Sequence, residues 1–153
     1  MAQEIERKFL VVSDAWRGLA QGERYVQGYL SSVPERTVRV RLAGLACTMT
    51  IKGRSVGIAR QEFEYAIPLA DADALLALCE RPLIEKTRYR IPHAGHLWEV
   101  DEFAGVNAGL IIAEVELESE DAKVELPSWV GAEVSHDSRY FNSNLVAKPF
   151  TTW

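Results

Sequence analysis

In Thr37-Val38-Arg39-Val40-Arg41-Leu42-Ala43 the central five residues, Val38 to Leu42, alternate apolar and cationic side chains. Successive side chains of a β-strand point to opposite faces, so this stretch forms a strand with two arginines on one face and Val38, Val40 and Leu42 on the other. The pattern recurs in both signs. Glu4, Glu6 and Lys8 alternate with Ile5 and Phe9; Glu62 and Glu64 with Phe63, Tyr65 and Ile67; Lys86, Arg88 and Arg90 with Tyr89 and Ile91; Glu114 and Glu116 with Val115 and Leu117.

Working outward from these segments, the alternation predicts strands near Glu4–Val11, Arg24–Ser31, Thr37–Ala43, Ala46–Lys52, Ile58–Ala66, Ile84–Ile91, His96–Phe103 and Ile111–Glu118. Short helices fit the remainder. Ser13 is placed to cap one over Asp14–Leu19, Asp71 to cap one running through Leu75, Leu76 and Cys79, and Ser119 and Ser138 are further cap candidates.

An ionic face on one strand is ordinarily a solvated ladder of ion pairs, each contributing little because water screens it. Like-signed neighbours change that reading. Arg39 beside Arg41, Glu62 beside Glu64 and Glu114 beside Glu116 repel, and something outside the chain has to compensate them. Closing the strands into a barrel points alternate residues of every strand inward around a small-ligand space. The ionic faces would then line the interior and the apolar faces would pack outward, against the short helices and against a second subunit if the chain forms a homodimer.

The chemistry of such an interior follows from charge. Two unit charges about 4 Å apart interact by about 4 kcal/mol at an effective dielectric near 20, so converging carboxylates stay ionised only beside cations. Oxygen donors without clustered His or Cys suit Mg2+ or Mn2+ and not zinc. His93, His96 and His136 show no ligand spacing and are read as loop or surface residues. Guanidinium forks and ammonium groups bind phosphoryl oxygens, so acidic and basic patches together suggest a metal-bound polyphosphate.

Composition is in keeping. With 153 residues, 48% hydrophobic, the chain suits one domain, 1–153, with a real core. A net charge of −5 argues against nucleic-acid and anionic-membrane partners. No apolar run reaches the length of a signal segment or membrane span, so a cytoplasmic protein is expected. Cys47 and Cys79, lacking metal-ligand spacing, are read as small buried hydrophobes.

Glu4-Ile5-Glu6-Arg7-Lys8 matches the ExExK signature that opens CYTH domains, and an ordered series follows it: Arg39-Val40-Arg41, Lys52, Glu62-Phe63-Glu64, Lys86-Thr87-Arg88, Asp101, Glu114-Val115-Glu116 and Arg139-Tyr140. Over nearly its whole length the chain resembles the CYTH, or triphosphate tunnel metalloenzyme, superfamily, and in Pro82–Lys86, Val100–Phe103 and Ala113–Leu117 its short bacterial inorganic triphosphatases.

The resemblance implies an all-β-dominated (α+β) fold: an eight-stranded antiparallel β-barrel tunnel with a charged interior and a few short flanking helices. It implies metal-side roles for Glu4, Glu6, Glu62, Glu64, Asp101, Glu114 and Glu116, directly or through water. It implies phosphate-side roles for Lys8, Arg39, Arg41, Lys52, Lys86, Arg88 and Arg139. Among these Lys52, Glu62 and Lys86 are the expected catalytic residues, Lys52 as phosphate holder or as base. Glu99 and Arg90 share faces with Asp101 and Arg88, and each is read as a member of a barrel-rim ion pair. Of the tyrosines, Tyr29 and Tyr89 are read as packing residues and Tyr140 as a candidate donor.

The expected reaction is hydrolysis of a triphosphate-bearing small molecule, tripolyphosphate to pyrophosphate and phosphate, with Mg2+ or Mn2+. So compact a chain leaves no obvious pocket for a base or thiamine. Adenylyl cyclase, thiamine or nucleoside triphosphatase, and a non-catalytic polyphosphate- or nucleotide-binding module are the competing readings.

Overall fold

The computed structural model describes residues 3–153, so the first two residues of the expected domain lie outside it. Nine strands form: β1 (Gln3–Val11), β2 (Gly22–Ser31), β3 (Arg36–Ala43), β4 (Ala46–Gly53), β5 (Ala59–Ile67), β6 (Ile84–His93), β7 (His96–Phe103), β8 (Ile111–Glu116) and β9 (Val130–Glu133). The first eight are the expected strands with ends shifted by a few residues. The ninth is too short and too weakly alternating to be seen in the sequence.

Every pairing is antiparallel, in the order β5-β4-β3-β2-β6-β7-β8-β1-β9, and a further β1–β5 pairing closes the barrel. Closure depends on how β1 is shared. One edge pairs Glu6–Leu10 with β8. The other is divided between β5, through Gln3, Glu4 and Ile5, and β9, through Phe9 and Val11. The β6–β7 hairpin turns through Ala94 and Gly95, both at positive φ (48° and 82°). A two-residue turn of this hand matches the strand twist, and Ala94 there tolerates a conformation that favours glycine.

The alternating faces sort as expected, with charge inside and the apolar side outside. Phe9, Ile91, Trp98, Val100, Ala113 and Val115 form one outer cluster with Trp16, Leu117 and Trp129 from the loops. On the opposite side Val40 and Cys47 pack under α1 (Ala72–Ala77) through Ala72, Leu76 and Cys79. The approach there is tight: a Cβ on Gly28 would stand 2.6 Å from Cys79 Cβ and 2.7 Å from Leu83 Cδ2. Both cysteines are free and buried.

A third cluster fills the barrel itself at one end. Tyr29, Ile84, Phe103 and Ile112 pack with Leu145 and Val146 of α2 (Asn144–Ala147). Register places Ile84 opposite Gln27, Phe103 opposite Lys86 and Ile112 opposite Asp101, so these apolar residues share the inward face with the charges. The interior is therefore a cup stoppered by the C-terminal segment.

The helical expectations need correction. Asp14–Leu19 is a run of turns, with Gly18 at φ 82° and Trp16 fully buried, because packing the indole under the sheet fixes the loop more strongly than six residues can fix a helix. Asp71 precedes α1 but makes no side-chain cap bond. Ser119 bonds Asp121 in a turn, and Ser138 opens a 3-10 turn whose cap is Asp137.

Candidate active site

The barrel encloses a cavity of about 260 Å³ lined by glutamates from β1, β5, β7 and β8 and by cations from β1 and β3–β6. Apart from Lys8 on β1 and Arg60 on β5, strand order separates the two signs. Contiguous β8, β1 and β5 carry Glu114, Glu116, Glu4, Glu6, Glu62 and Glu64, while contiguous β3, β2 and β6 on the far side carry Arg39, Arg41, Lys86, Arg88 and Arg90. β4 and β7 bridge the two banks.

Register explains the bridges. Arg39, Thr50 and Glu64 are in line across β3, β4 and β5, and hydrogen bonds follow the line: Arg39 Nη2 donates to Thr50 Oγ1 (3.0 Å), whose hydroxyl donates to Glu64 Oε2 (3.2 Å). Thr37, Lys52 and Glu62 form the next line. Lys52 Nζ reaches Glu4 Oε2 at 2.9 Å and Glu62 Oε2 at 3.3 Å. Lys8 Nζ stands 3.5 Å from Glu114 Oε1 and donates to the Tyr140 carbonyl at 3.1 Å. Both lysines, expected on the phosphate side, thus lie beside carboxylates.

The acidic bank is crowded beyond what these lysines neutralise. Burial, then Glu114 and Glu4, push the Glu6 carboxyl up to about 8. Burial and the facing Glu4 push Glu62 up to about 7. Glu116 is raised by burial, Glu4 and Glu99. Burial works the same way on Glu4, but Lys52 overcomes it and holds Glu4 down at about 2. Among the described residues no group of three or more His, Cys, Asp and Glu side chains stands converged as a metal cage, since Glu4, Glu62 and Glu114 are drawn onto lysines. The donor set nevertheless fits a divalent cation: it is all oxygen, and burial and mutual repulsion make Glu6, Glu62 and Glu116 harder to ionise, a cost that a bound cation would relieve.

The basic bank is crowded in the same sense. Burial, Arg39 and Arg88 press the Arg41 guanidinium down, and Arg39 Nε is buried without an acceptor among the described residues. Tyr25 holds the bank together. Its ring lies 4.9 Å from the Arg41 guanidinium and 5.2 Å from that of Arg88, and its hydroxyl accepts from Arg90 Nη2 at 2.8 Å. An anion entering here meets donors already stacked in place.

Two expected placements are corrected. Asp101 does not line the cavity: it is wholly buried behind Arg88, whose Nε and Nη2 grip it at 2.7 and 2.8 Å, and Lys86, whose Nζ is 2.7 Å away. Its lone pairs are committed to cations, so it orients the basic bank. Arg139 is exposed and clamps Asp137 with Nη2 at 2.7 Å, away from the cavity lining, because the 3-10 turn points it outward against Trp153.

Arg90 and Glu99 pair with each other, at 3.4 Å, on the cavity wall. Tyr140 meets the site through its carbonyl and not its hydroxyl. Sequence reading missed Arg60, Tyr25, Gln27 and Asn142. Arg60 had a signal, standing two residues before Glu62 on the same face, and its Nε is 3.5 Å from Glu4 Oε1. Tyr25 and Gln27 share their strand face with Tyr29, but uncharged residues gave no reason to place that face inward. Asn142, in a loop, gave none at all.

Residues 2–149 match the CYTH domain model. The chain is 50% identical over 151 residues to an inorganic triphosphatase of Acetivibrio thermocellus, covering 98% of this chain and 97% of that one. It is 39% identical to an inorganic triphosphatase of Nitrosomonas europaea, covering 93% and 95%. A crystal structure of the inorganic triphosphatase NE1496 superposes with a TM-score of 0.69 at 37% identity, covering 95% of each chain. A putative adenylate cyclase from Bacillus halodurans shares the fold at 18% identity, with a TM-score of 0.61 over 79% of this chain.

Proposed function

This chain belongs to the CYTH domain family, and on that premise we propose that it is a divalent-metal-dependent triphosphatase that hydrolyses tripolyphosphate to pyrophosphate and phosphate, with residues 1–153 acting as one tunnel domain. The observation that carries this reading is the segregation of a crowded carboxylate bank from a crowded guanidinium bank across one small stoppered cavity.

The lining has seven glutamates, with Glu99 added to the six above, and eight cations, with Lys8, Lys52 and Arg60 added to the five above. With every one of these side chains ionised the lining is nearly neutral, and it cannot by itself balance a multiply charged triphosphate. The carboxylate bank supports binding of Mg2+ or Mn2+, held by Glu4, Glu6, Glu62, Glu64, Glu114 and Glu116 directly or through water, while Asp101 serves from behind the wall. The bound cation would neutralise phosphoryl oxygens and favour a nucleophilic water.

Arg39, Arg41, Lys86 and Arg88 grip the triphosphate and stabilise charge on the leaving pyrophosphate. Lys52, between Glu4 and Glu62, holds the phosphoryl group that faces the carboxylates. Burial pushes Lys86 down to about 7, against the pull of Asp101. An arriving phosphate favours its charged form, so it tightens on substrate.

Tyr29 and Phe141 are the only aromatic side chains on the lining among the described residues, which supports a bare polyphosphate over a nucleotide or thiamine ester. Two buried free thiols support a reducing compartment, the cytoplasm. No described helix is long and apolar enough to cross a membrane.

The experiment is a screen of tripolyphosphate, ATP and thiamine triphosphate with Mg2+, Mn2+, Ca2+ or chelator, reading phosphate, pyrophosphate and cyclic AMP. Phosphate release from tripolyphosphate with Mg2+ or Mn2+, and little with Ca2+, is expected, because calcium's longer and looser coordination misplaces the water. Full turnover in chelator after verified metal removal overturns the metal requirement. Cyclic AMP as the main product from ATP favours a cyclase, and tight binding without turnover favours a binding module.

A further inference from the structure

Between the basic bank and the C-terminal stopper runs a chain of side chains that the charge pattern does not account for. Arg41 Nε donates to Gln27 Oε1 at 2.8 Å, Gln27 Nε2 donates to Asn142 Oδ1 at 3.1 Å, and Lys86 Nζ donates to the same Asn142 oxygen at 3.0 Å. Gln27 is fully buried. Asn142 sits on the cavity lining, in the loop between the Ser138–Tyr140 turn and α2.

The orientation of both amides follows from the groups at the ends. An arginine side chain only donates, so the Gln27 atom facing Arg41 must be its carbonyl oxygen and its NH2 must meet the Asn142 oxygen; the Lys86 ammonium, a donor too, requires that same Asn142 oxygen. Gln27 then presents its NH2 to Asn142, and the Asn142 oxygen receives two donors. Its own NH2 is left turned away from both. That nitrogen makes no hydrogen bond among the described residues and is not buried. The backbone beneath is fixed, since Leu145 and Val146 are buried in the stopper and the Tyr140 carbonyl accepts from Lys8.

We propose that Asn142 is a substrate-binding residue whose amide NH2, aimed by Lys86 and Gln27, donates to a phosphoryl oxygen at the stoppered end of the cavity. The assignment rests on the triphosphatase reading and extends it. Lys86 and Arg41 hold the anion by charge, whereas Asn142 adds a neutral donor whose direction is set by the network behind it. The C-terminal segment thereby contributes a ligand as well as a plug.

Asn142→Asp separates binding from mere support. The carboxylate keeps an acceptor for Lys86 and Gln27, so a purely structural residue would lose nothing. Its second oxygen would replace the donor with a negative charge facing phosphate. We expect Asn142→Asp to raise the Kd for tripolyphosphate, titrated calorimetrically in chelator, and its KM with Mg2+, each on the order of tenfold or more. The melting temperature of the ligand-free protein should be unchanged or higher. Asn142→Ala, the second variant, should weaken both several-fold and decides the matter if Asn142→Asp melts early. Kd and KM within twofold of wild type in a folded variant overturn the assignment while leaving the triphosphatase reading intact. A wild-type protein that neither binds nor hydrolyses tripolyphosphate overturns that reading, and this assignment with it.

Discussion

The ammonium of Lys52 lies 2.9 Å from Oε2 and 3.1 Å from Oε1 of Glu4, so the cation expected to serve phosphate is anchored by a carboxylate of the opposite bank. Lys52→Arg keeps a cation there but one that is effectively never neutral. We expect partial activity with an unchanged pH profile, measured as kcat and kcat/KM between pH 6 and 10. Substrate affinity retained with turnover abolished at every pH would instead make Lys52 the base.

Crowding of the carboxylates predicts a pH dependence whose sign can be worked out. Burial, with Glu114 and Glu4 nearby, pushes the Glu6 carboxyl in the fold up to about 8 from an ordinary 4.5. As pH rises past 4.5 the unfolded chain loses this proton and the folded one keeps it, so the metal-free fold loses stability until pH passes 8. Glu6→Gln should flatten this slope and raise the melting temperature at pH 8 by about 3 °C or more. Mg2+ should raise the wild-type melting temperature more at pH 8 than at pH 5. A slope unaltered by Glu6→Gln would mean that other groups carry it.

Arg39 and Arg41 belong to the anion-gripping bank, Arg90 is paired at the wall, and Arg139 is engaged with Asp137 outside. Arg39→Ala and Arg41→Ala should each raise KM for tripolyphosphate about tenfold or more and lower turnover. Arg90→Ala should do much less, and Arg139→Ala should stay within about twofold. Comparable losses at all four positions would contradict these placements.

Asp101 compensates two buried cations at once, Lys86 and Arg88. Removing its charge leaves both without their main partner. Asp101→Asn should therefore destabilise the fold by about 3 kcal/mol or more, read by urea unfolding in the absence of metal. An inactive Asp101→Asn variant of wild-type stability and reduced metal affinity would return Asp101 to the metal side.

Much of this was legible in the chain, because strand alternation is local. Ile5 and Phe9 against Glu4, Glu6 and Lys8, or Val40 against Arg39 and Arg41, assign each residue a face without reference to any other strand. Like charges repeated on one face imply that the face meets a ligand, and the all-oxygen donor set narrows the metal. Which strands stand next to which is not local. Only the closed barrel puts β8, β1 and β5 on one wall and β3, β2 and β6 on the other, and only register sets Lys52 beside Glu62 and Arg88 opposite Asp101. Asp101 reads in sequence like any other inward acid; two cations folded over it take it out of the cavity. Gln27, Tyr25 and Asn142 carry no charge signature, and they acquire their roles only when the donors of distant strands converge on them. Alternation therefore settles which face a side chain occupies, whereas its partner is settled by contacts that exist only once the chain has closed on itself.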